Sequence, residues 1–486
     1  MYKLQLIRKY LFKRRIAWVA LVAVMLCTAM VLVVVSVMGG WLRNFKQSFH
    51  GMTGDVVITA SSLGGFPNYQ EMIDSIVKLK DVQSAVPIIR TGGLINIDNR
   101  DVEMVQVLGY PTDIGKVNDW PSSLHLNPDD RKQKLREATT RPNLTAAERH
   151  QLDVDMSRLP FGLHPDLYRA YERTAEGKPA PNRLNRPGMI VSTLVVGMRK
   201  DKGPDADDFR REFYRMPVTL TLVPVVGGEA ISLDSVQPIP FWIVDDSHSR
   251  LYALDNNNVY ISFEEAQKDL RMTATADQDA RCSEVEIKAV PGADLNTLRD
   301  QVAAITEQVR LNHAIPYFYE FKVETWLQQQ GVFIKAVENE VLITTTLFSV
   351  ISMVAVLLIF CIFYMIVIEK TKDIGIIKSL GATGWGILSL FLGYGFAIGA
   401  VGAALGFAAA FFFMRYINDL HAWLARITGR DLFSPETYQF DKLPDRMETQ
   451  TVVIVVIAAV ISALVGALIP ALRAAMMNPV EALRYE

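Results

Sequence analysis

The chain has 486 residues, 50 of them Lys or Arg and 52 Asp or Glu, for a formal net charge of −2. Its residues are 50% hydrophobic and 21% charged and its mean hydropathy is positive, which is too apolar for a typical soluble protein and too charged for one buried throughout in a membrane. Membrane spans combined with a soluble domain are implied, and no nucleic-acid partner is expected.

The first fifteen residues carry Lys3, Arg8, Lys9, Lys13, Arg14 and Arg15 without an acidic residue. Residues 16–42 then run uncharged beyond the roughly 20 apolar residues that cross a bilayer. The basic flank places the N-terminus in the cytoplasm. The run exceeds a secretion-signal core, and "VVSVMGGWLRNF" offers no small-x-small cleavage site, so an uncleaved anchor is expected.

Residues 43–340 then lie outside as one extracytoplasmic α+β domain. "GDVVITASS" (54–62) alternates as a strand does, and "GGLINIDNRDVEMVQVLGYP" (92–111) reads as two strands about the turn residues Asp98 and Asn99. Residues 112–190 are more polar, and a middle lobe of about 112–240 is expected, with the first and last thirds of the domain packed together. "SEVEIKAV" (283–290) alternates again, and "ADLNTLRDQVAAITEQVR" (293–310) puts Leu295, Leu298, Val302, Ile305 and Val309 on one helical face behind an Asp294 cap. The amphipathic stretch "FKVETWLQQQGVFIKAVENE" (321–340) reads as a stalk leading to the next span.

The acidic pairs Asp245–Asp246 and Glu264–Glu265 invite a catalytic or metal reading. "LDNNNVYISFEEA" (254–266), however, has neither the ligand offsets nor the glycine of a calcium loop. The seven histidines include no close pair and no His-Glu-x-x-His arrangement. Cys282 is the only cysteine of the outer domain, so that domain has no internal disulfide, while Cys27 and Cys361 fall in spans. No catalytic, cofactor or metal residue is assigned.

Spans two to four occupy 341–368, 384–414 and 449–472. They are joined by a connection at 369–383 inside and a loop at 415–448 outside, and the C-terminus at 473–486 is cytoplasmic. The spans contain no internal ionisable residue, which argues against a proton relay or ion path among them. In span three Gly395, Gly399, Gly402 and Gly406 share one face, the pattern of a close helix crossing, with Ala403 around the side. Alternatively, glycine is simply common in membrane helices.

The connection "EKTKDIGIIKSLGAT" (369–383) spaces Ile374, Ile377 and Leu380 by three, while Glu369, Lys370, Lys372, Asp373 and Lys378 remain for polar contacts. It reads as a short interfacial helix with apolar residues on the spans and charges toward a partner, stopped by Gly381. A loop that snorkels its lysines to lipid phosphates is the alternative. The chain has no G-x-x-x-x-G-K-[ST] loop, so any ATP-driven work takes its energy from another subunit.

At these residues the chain resembles the ABC transporter permeases of the FtsX and MacB superfamily, most of all the lipoprotein-releasing permeases of the LolC and LolE type. "SVMGGWLRNF" (36–45) is similar to the family's S-V-M-N-G-F segment, and 369–383 to its E-K-x-x-E-I-G-I-L-x-A-x-G-A, with Asp373 for the usual Glu. "YQFDKLPDRME" (438–448) resembles the approach to the last span. "IPALRAAMMNPVEALRYE" (469–486) resembles the family ending P-A-x-x-A-x-x-x-x-P-x-E-A-L-R-Y-E.

The resemblance implies an α-helical integral protein of the bacterial inner membrane, with four transmembrane helices and a large periplasmic domain between the first two. It implies two permeases, identical or paralogous, on a cytoplasmic ATPase dimer that supplies ATP and Mg, with residues 369–383 as the coupling helix. In the lipoprotein-releasing branch a lipid-anchored protein passes from the membrane to a soluble periplasmic carrier. Within the superfamily, a MacB-like exporter of peptides or amphiphiles and an activator of an extracytoplasmic partner are alternatives. From another class, a receptor without transport is the alternative: copurification with a P-loop ATPase favours the ABC readings, and isolation with a kinase or as a stand-alone dimer favours the receptor.

Overall fold

The computed structural model describes residues 15–97, 102–142, 144–163, 186–195, 210, 213–214, 218–226, 230–231, 236–249, 251–276, 278–429, 443–445 and 447–484. The turn residues Asp98 and Asn99, most of the polar stretch around 164–185 and most of 438–448 lie outside the described residues.

Along the chain come helix α1 (Arg15–Gly51), strand β1 (Val56–Ala60), helix α2 (Tyr69–Ile76), strands β2 (Val82–Ile97) and β3 (Val102–Tyr110), and helices α3 (Pro128–Thr139) and α4 (Ala146–Ser157). Strands β4 (Gly188–Ser192), β5 (Val218–Leu222), β6 (Pro238–Ser247) and β7 (Asn258–Ser262) follow, then helix α5 (Phe263–Asp269), strand β8 (Glu284–Ala289), helix α6 (Leu295–Asn312) and strand β9 (Phe321–Thr325). The last helices are α7 (Gly331–Glu369), α8 (Thr371–Ser379), α9 (Gly384–Arg415), α10 (Ile417–Thr428), α11 (Thr449–Met476) and α12 (Pro479–Arg484). Contacts divide the chain into two compact units, Phe45–Val332 and the long helices that flank it in sequence.

Among the described residues α1, α7, α9 and α11 are long and apolar enough to cross a membrane. Each contains one of the expected spans. The expected stalk at 321–340 is not one element: Phe321–Thr325 is strand β9, Trp326–Gln329 a separate short helix, and α7 begins at Gly331. The alternation of Phe321, Val323 and Thr325 suits a strand, and β9 pairs antiparallel with β1 from Val56↔Thr325 to Ala60↔Phe321.

The sheet of the outer unit runs β9-β1-β8-β2-β3-β7-β4-β6-β5, and β5 pairs back onto β2. The 16-residue β2 serves two neighbourhoods. Its first half pairs with β8, Gly93–Asn96 pairs with both β3 and β5, and Ile97 with β5 alone, so six strands close into a ring. The first and last thirds of the domain do pack together, through β1, β8 and β9. The expected middle lobe is not confined to 112–240, because β2, β3 and β7 supply half of the ring.

Asp294 caps α6 as expected, accepting from the Asn296 N–H at 3.2 Å, and Leu298, Val302 and Val309 are buried against the sheet. Three of the four acidic residues singled out in the sequence have structural partners, while Glu264 is exposed in the first turn of α5. Asp245 lies 3.6 Å from the fully buried Arg131 and accepts the Leu126 N–H at 3.2 Å. Asp246 binds Arg210 at 3.0 Å and the Tyr214 hydroxyl at 2.7 Å, and Glu265 binds Arg158 at 2.9 Å. "NVYIS" of the apparent cation loop is strand β7, and Ser262 caps α5 through the Glu265 N–H.

Strand β8 alternates glutamate with valine and isoleucine, yet both faces are covered. Val285 and Ile287 enter the core beneath α2 and α6, Glu284 forms a two-bonded pair with Arg90, and Glu286 is 1% exposed. One Glu286 oxygen accepts from the Gly54 N–H at 3.0 Å and from Asn118 at 3.1 Å. Burial, reinforced by the neighbouring Glu284, pushes the Glu286 carboxyl up to about 7. A carboxyl raised above its unfolded value contributes stability that is present at low pH and is lost as pH rises through the folded value. Glu286 therefore contributes a loss of stability between about pH 4.5 and pH 7, and Glu286→Gln flattens the pH dependence of the outer unit over that range by about 1–3 kcal/mol. Thermal unfolding followed by tryptophan fluorescence across this range checks it, and an unchanged slope in the variant contradicts it.

Candidate functional site in the helix between spans two and three

The short helix α8 is built to stop. Its last turn closes with the Ala382 N–H on the Ile377 carbonyl at 3.2 Å and the Gly381 N–H on the Lys378 carbonyl at 3.0 Å. Gly381 sits at φ +96°, so this is a Schellman stop at the expected residue. Two residues on, Thr383 caps α9 by accepting the Gly386 N–H at 3.2 Å.

Ile374 is 4% exposed and joins the apolar cluster of the membrane helices, with Phe363 and Ile366 from α7, Phe391 from α9, and Ala471 and Ala474 from α11. Gly375 beside it is buried, and α8 also packs along α12. Lys378 does not project toward a partner as the sequence suggested. Its ammonium donates to the carbonyls of Ala475 at 2.7 Å and Met477 at 2.6 Å, at the C-terminal end of α11. Those carbonyls have no intrahelical donor, and a cation there also meets the negative end of the helix dipole.

Leu380 departs from expectation as well. It is 83% exposed and does not pack on the spans, and Ile377 is half-buried. At 3.6 residues per turn a three-residue spacing drifts by about 60° per step, so Leu380 has left the face of Ile374, whereas Lys378, four residues on, shares it. Lys372 is exposed, and Lys370 pairs with Asp373 on the helix surface. Glu369 ends α7 and is exposed.

Ile376, Leu380 and Trp385 thus present an exposed apolar group at this end of the bundle, with Met476 and Val480 exposed on α11 and α12. The sequence reading missed Ile376 and Trp385; their signal was two large apolar residues off the buried face of a charged connection.

The four glycines of α9 are all buried on one face, but against two different helices. A Cβ at Gly395 would lie 2.7 Å from that of Ala467, and at Gly399 2.8 Å from that of Ala463, both on α11. At Gly402 it would lie 2.8 Å from Val24 Cβ, and at Gly406 2.7 Å from the Met25 carbonyl, both on α1. Ala463, Ala467, Ala471 and Ala474 are fully buried, a small-residue stripe readable in the sequence of α11 that the sequence reading did not pick out. Ala403 is fully buried too, not at the side of the helix: it lies four residues beyond Gly399 and so shares its face.

A family model described as the FtsX-like permease C-terminal domain matches residues 345–479, and one described as the MacB-like periplasmic core domain matches residues 17–139. The chain therefore carries an FtsX-like permease domain and a MacB-like periplasmic core domain, as a multi-pass membrane permease whose periplasmic domain lies between its first and second spans. It is similar to the lipoprotein-releasing system transmembrane protein LolC of Neisseria meningitidis, at 27% identity over 34% of this chain and 40% of the relative. LolC of Xylella fastidiosa (strain Temecula1) is 24% identical over 48% of this chain and 52% of the relative. The chain thus spans about half or less of the length of these curated relatives. The crystal structure of the periplasmic region of MacB from Actinobacillus actinomycetemcomitans aligns with 60% of this chain and 94% of that one, at 10% identity and a TM-score of 0.27.

The glycine contacts give an expected outcome. Leucine at Gly399 or Gly402 must force backbones apart, lowering the stability of the helical unit by about 3 kcal/mol, whereas leucine at the exposed Ala404 changes it by under about 0.5 kcal/mol. Thermal unfolding of the full chain in mild detergent reads the difference, and equal midpoints for all three variants contradict the packing role.

Proposed function

We propose that this chain is the membrane subunit of an ABC transporter, that α8 is the element on which a separate cytoplasmic ATPase docks, and that the cargo is a lipoprotein leaving the membrane. The observation that carries the reading is the dual tie of α8: Ile374 lies in the buried cluster of α7, α9 and α11, and Lys378 holds the last carbonyls of α11. A force applied to α8 from the cytoplasm acts on three spans at once, and small shifts in a close-packed bundle are transmitted because its arrangements are discrete.

In this reading the exposed group of Ile376, Leu380 and Trp385, with Lys372 and the Lys370–Asp373 pair at its rim, receives the ATPase. The chain has no phosphate-binding loop of its own, so ATP and Mg belong to the partner. A second permease, a copy or a paralogue, completes the site for an ATPase dimer; the lipoprotein cargo is supported by similarity to the lipoprotein-releasing LolC proteins, and the soluble periplasmic carrier by the family resemblance alone.

The two faces of α8 separate by mutation. Ile374→Asp breaks the tie to the spans and is expected to leave ATPase binding intact while lipoprotein release per ATP falls at least about tenfold. Leu380→Asp acts on the outward face and is expected to weaken ATPase retention, with release per ATP unchanged in the complexes that form. Reconstitution in nanodiscs with the ATPase, reading hydrolysis and transfer to the soluble carrier, tests both. Release per ATP at the unmodified level with Ile374→Asp refutes α8 as the coupling element, and absence of any partner-dependent hydrolysis with the unmodified chain refutes the ABC reading.

A further inference from the structure

We propose that α10, which directly follows the third span, lies in the outer-leaflet interface of the bilayer, with Trp423 and Ile427 seated among phospholipid glycerol and upper acyl groups. This surface stands whether or not the chain is coupled to an ATPase. The sequence "INDLHAWLARIT" places Ile417, Leu420, Trp423, Leu424 and Ile427 within one third of the helix circumference, and Asn418, Asp419, His421 and Arg426 around the remainder.

That apolar face is only partly used by the protein. Ile417 is buried and Leu420 and Leu424 half-buried, while Trp423 is 56% and Ile427 63% exposed. The exposed strip continues the lipid-facing end of α9, where Phe411, Phe412 and Phe413 are exposed and are followed by the exposed Tyr416. An aromatic run that ends in tyrosine, arginine and tryptophan is what the boundary between hydrocarbon and headgroup selects.

The geometry holds the helix at that depth. Tyr416, at φ −108° and ψ 11°, interrupts the helical path between α9 and α10. The Asn418 side chain then clamps the backbone of Leu443 from both sides, donating to its carbonyl at 3.1 Å and accepting its N–H at 3.0 Å. The adjoining Pro444 packs on Gly40 of α1, where an added Cβ would lie 2.7 Å away, and Arg43 of α1 pairs with Glu448 just before α11 at 2.9 Å. The first turn of α10 is thereby pinned where the outer ends of three spans meet, and exposed Arg415 and Arg426 stand where lipid phosphates lie.

The test uses the full chain in phospholipid nanodiscs, with Cys27, Cys282 and Cys361 replaced and one nitroxide-labelled cysteine introduced at a time. Trp423→Cys and Ile427→Cys are expected to collide with lipid-soluble oxygen severalfold more often than Asp419→Cys and Arg426→Cys, and the order reverses for a water-soluble nickel chelate. Because Ile427→Cys keeps Trp423, it reports the seated helix even where the tryptophan itself is required. Equal nickel access at all four positions places α10 in water and overturns the proposal. Exclusion of both relaxants at 423 and 427 overturns it in favour of a protein, such as a second permease, covering the face.

Discussion

Close backbone approach in lipid is the constraint on which the helical unit rests. Hydrocarbon tails solvate leucine as well as another helix does, so nothing apolar drives these helices together except contacts that lipid cannot match. The α9 glycines and the α11 alanines provide them, and Gly395 and Gly399 leave no room for even a methyl group against Ala467 and Ala463. Because α9 turns its small residues first to α11 and then to α1, one helix fixes the positions of two others. The short helix α8 inherits this order: Ile374 packs into a cluster whose walls are already set, and Lys378 finds the end of α11 at a defined place.

The outer unit solves a different problem, that of a sheet with both faces covered. Where a strand such as β8 has a buried glutamate every second residue, each must be answered inside the protein: Glu284 by Arg90, and Glu286 by Asn118 and a backbone N–H. Arg131, fully buried, donates to the Val244 carbonyl at 3.0 Å and to that of Gly162, with Asp245 beside it. These contacts hold helix α3 and the segment before it to strand β6. They are also why Asp245 and Asp246, conspicuous as a pair of carboxylates, mark architecture and not chemistry.

Much of this was legible because it depends on local pattern. Uncharged runs give spans, the Asp294 cap and its periodicity give α6, and Gly381 gives the stop after α8 at the residue where the backbone turns left-handed. What escaped depends on partners distant in sequence. No feature of "GGLINI" states that Val218–Leu222 will pair with it and close a ring. Alternating "EVEIK" is the same whether the glutamates meet water or Asn118. Leu380 and Lys378 exchanged roles because a three-residue spacing looks like a face in the sequence but winds off it in a helix, and a lysine reads as solvated until a helix end is placed beside it.

The double membership of β2 has a consequence for the order in which the outer unit can assemble. Residues 93–97 are made early and await strand β5 at 218–222, while the other end of β2 awaits β8 at 284–289 and β1 awaits both β8 and β9. Pairings over such sequence distances are slow to form, and until they do the strands present bare edges to any neighbour. At a synthesis rate of about 5–20 residues per second, β2 is kept waiting for several seconds at least after it is made. The nascent chain therefore passes through a stage in which its first span is already anchored but its sheet is unfinished. A substitution that weakens pairing in β5, β8 or β9 lengthens that stage.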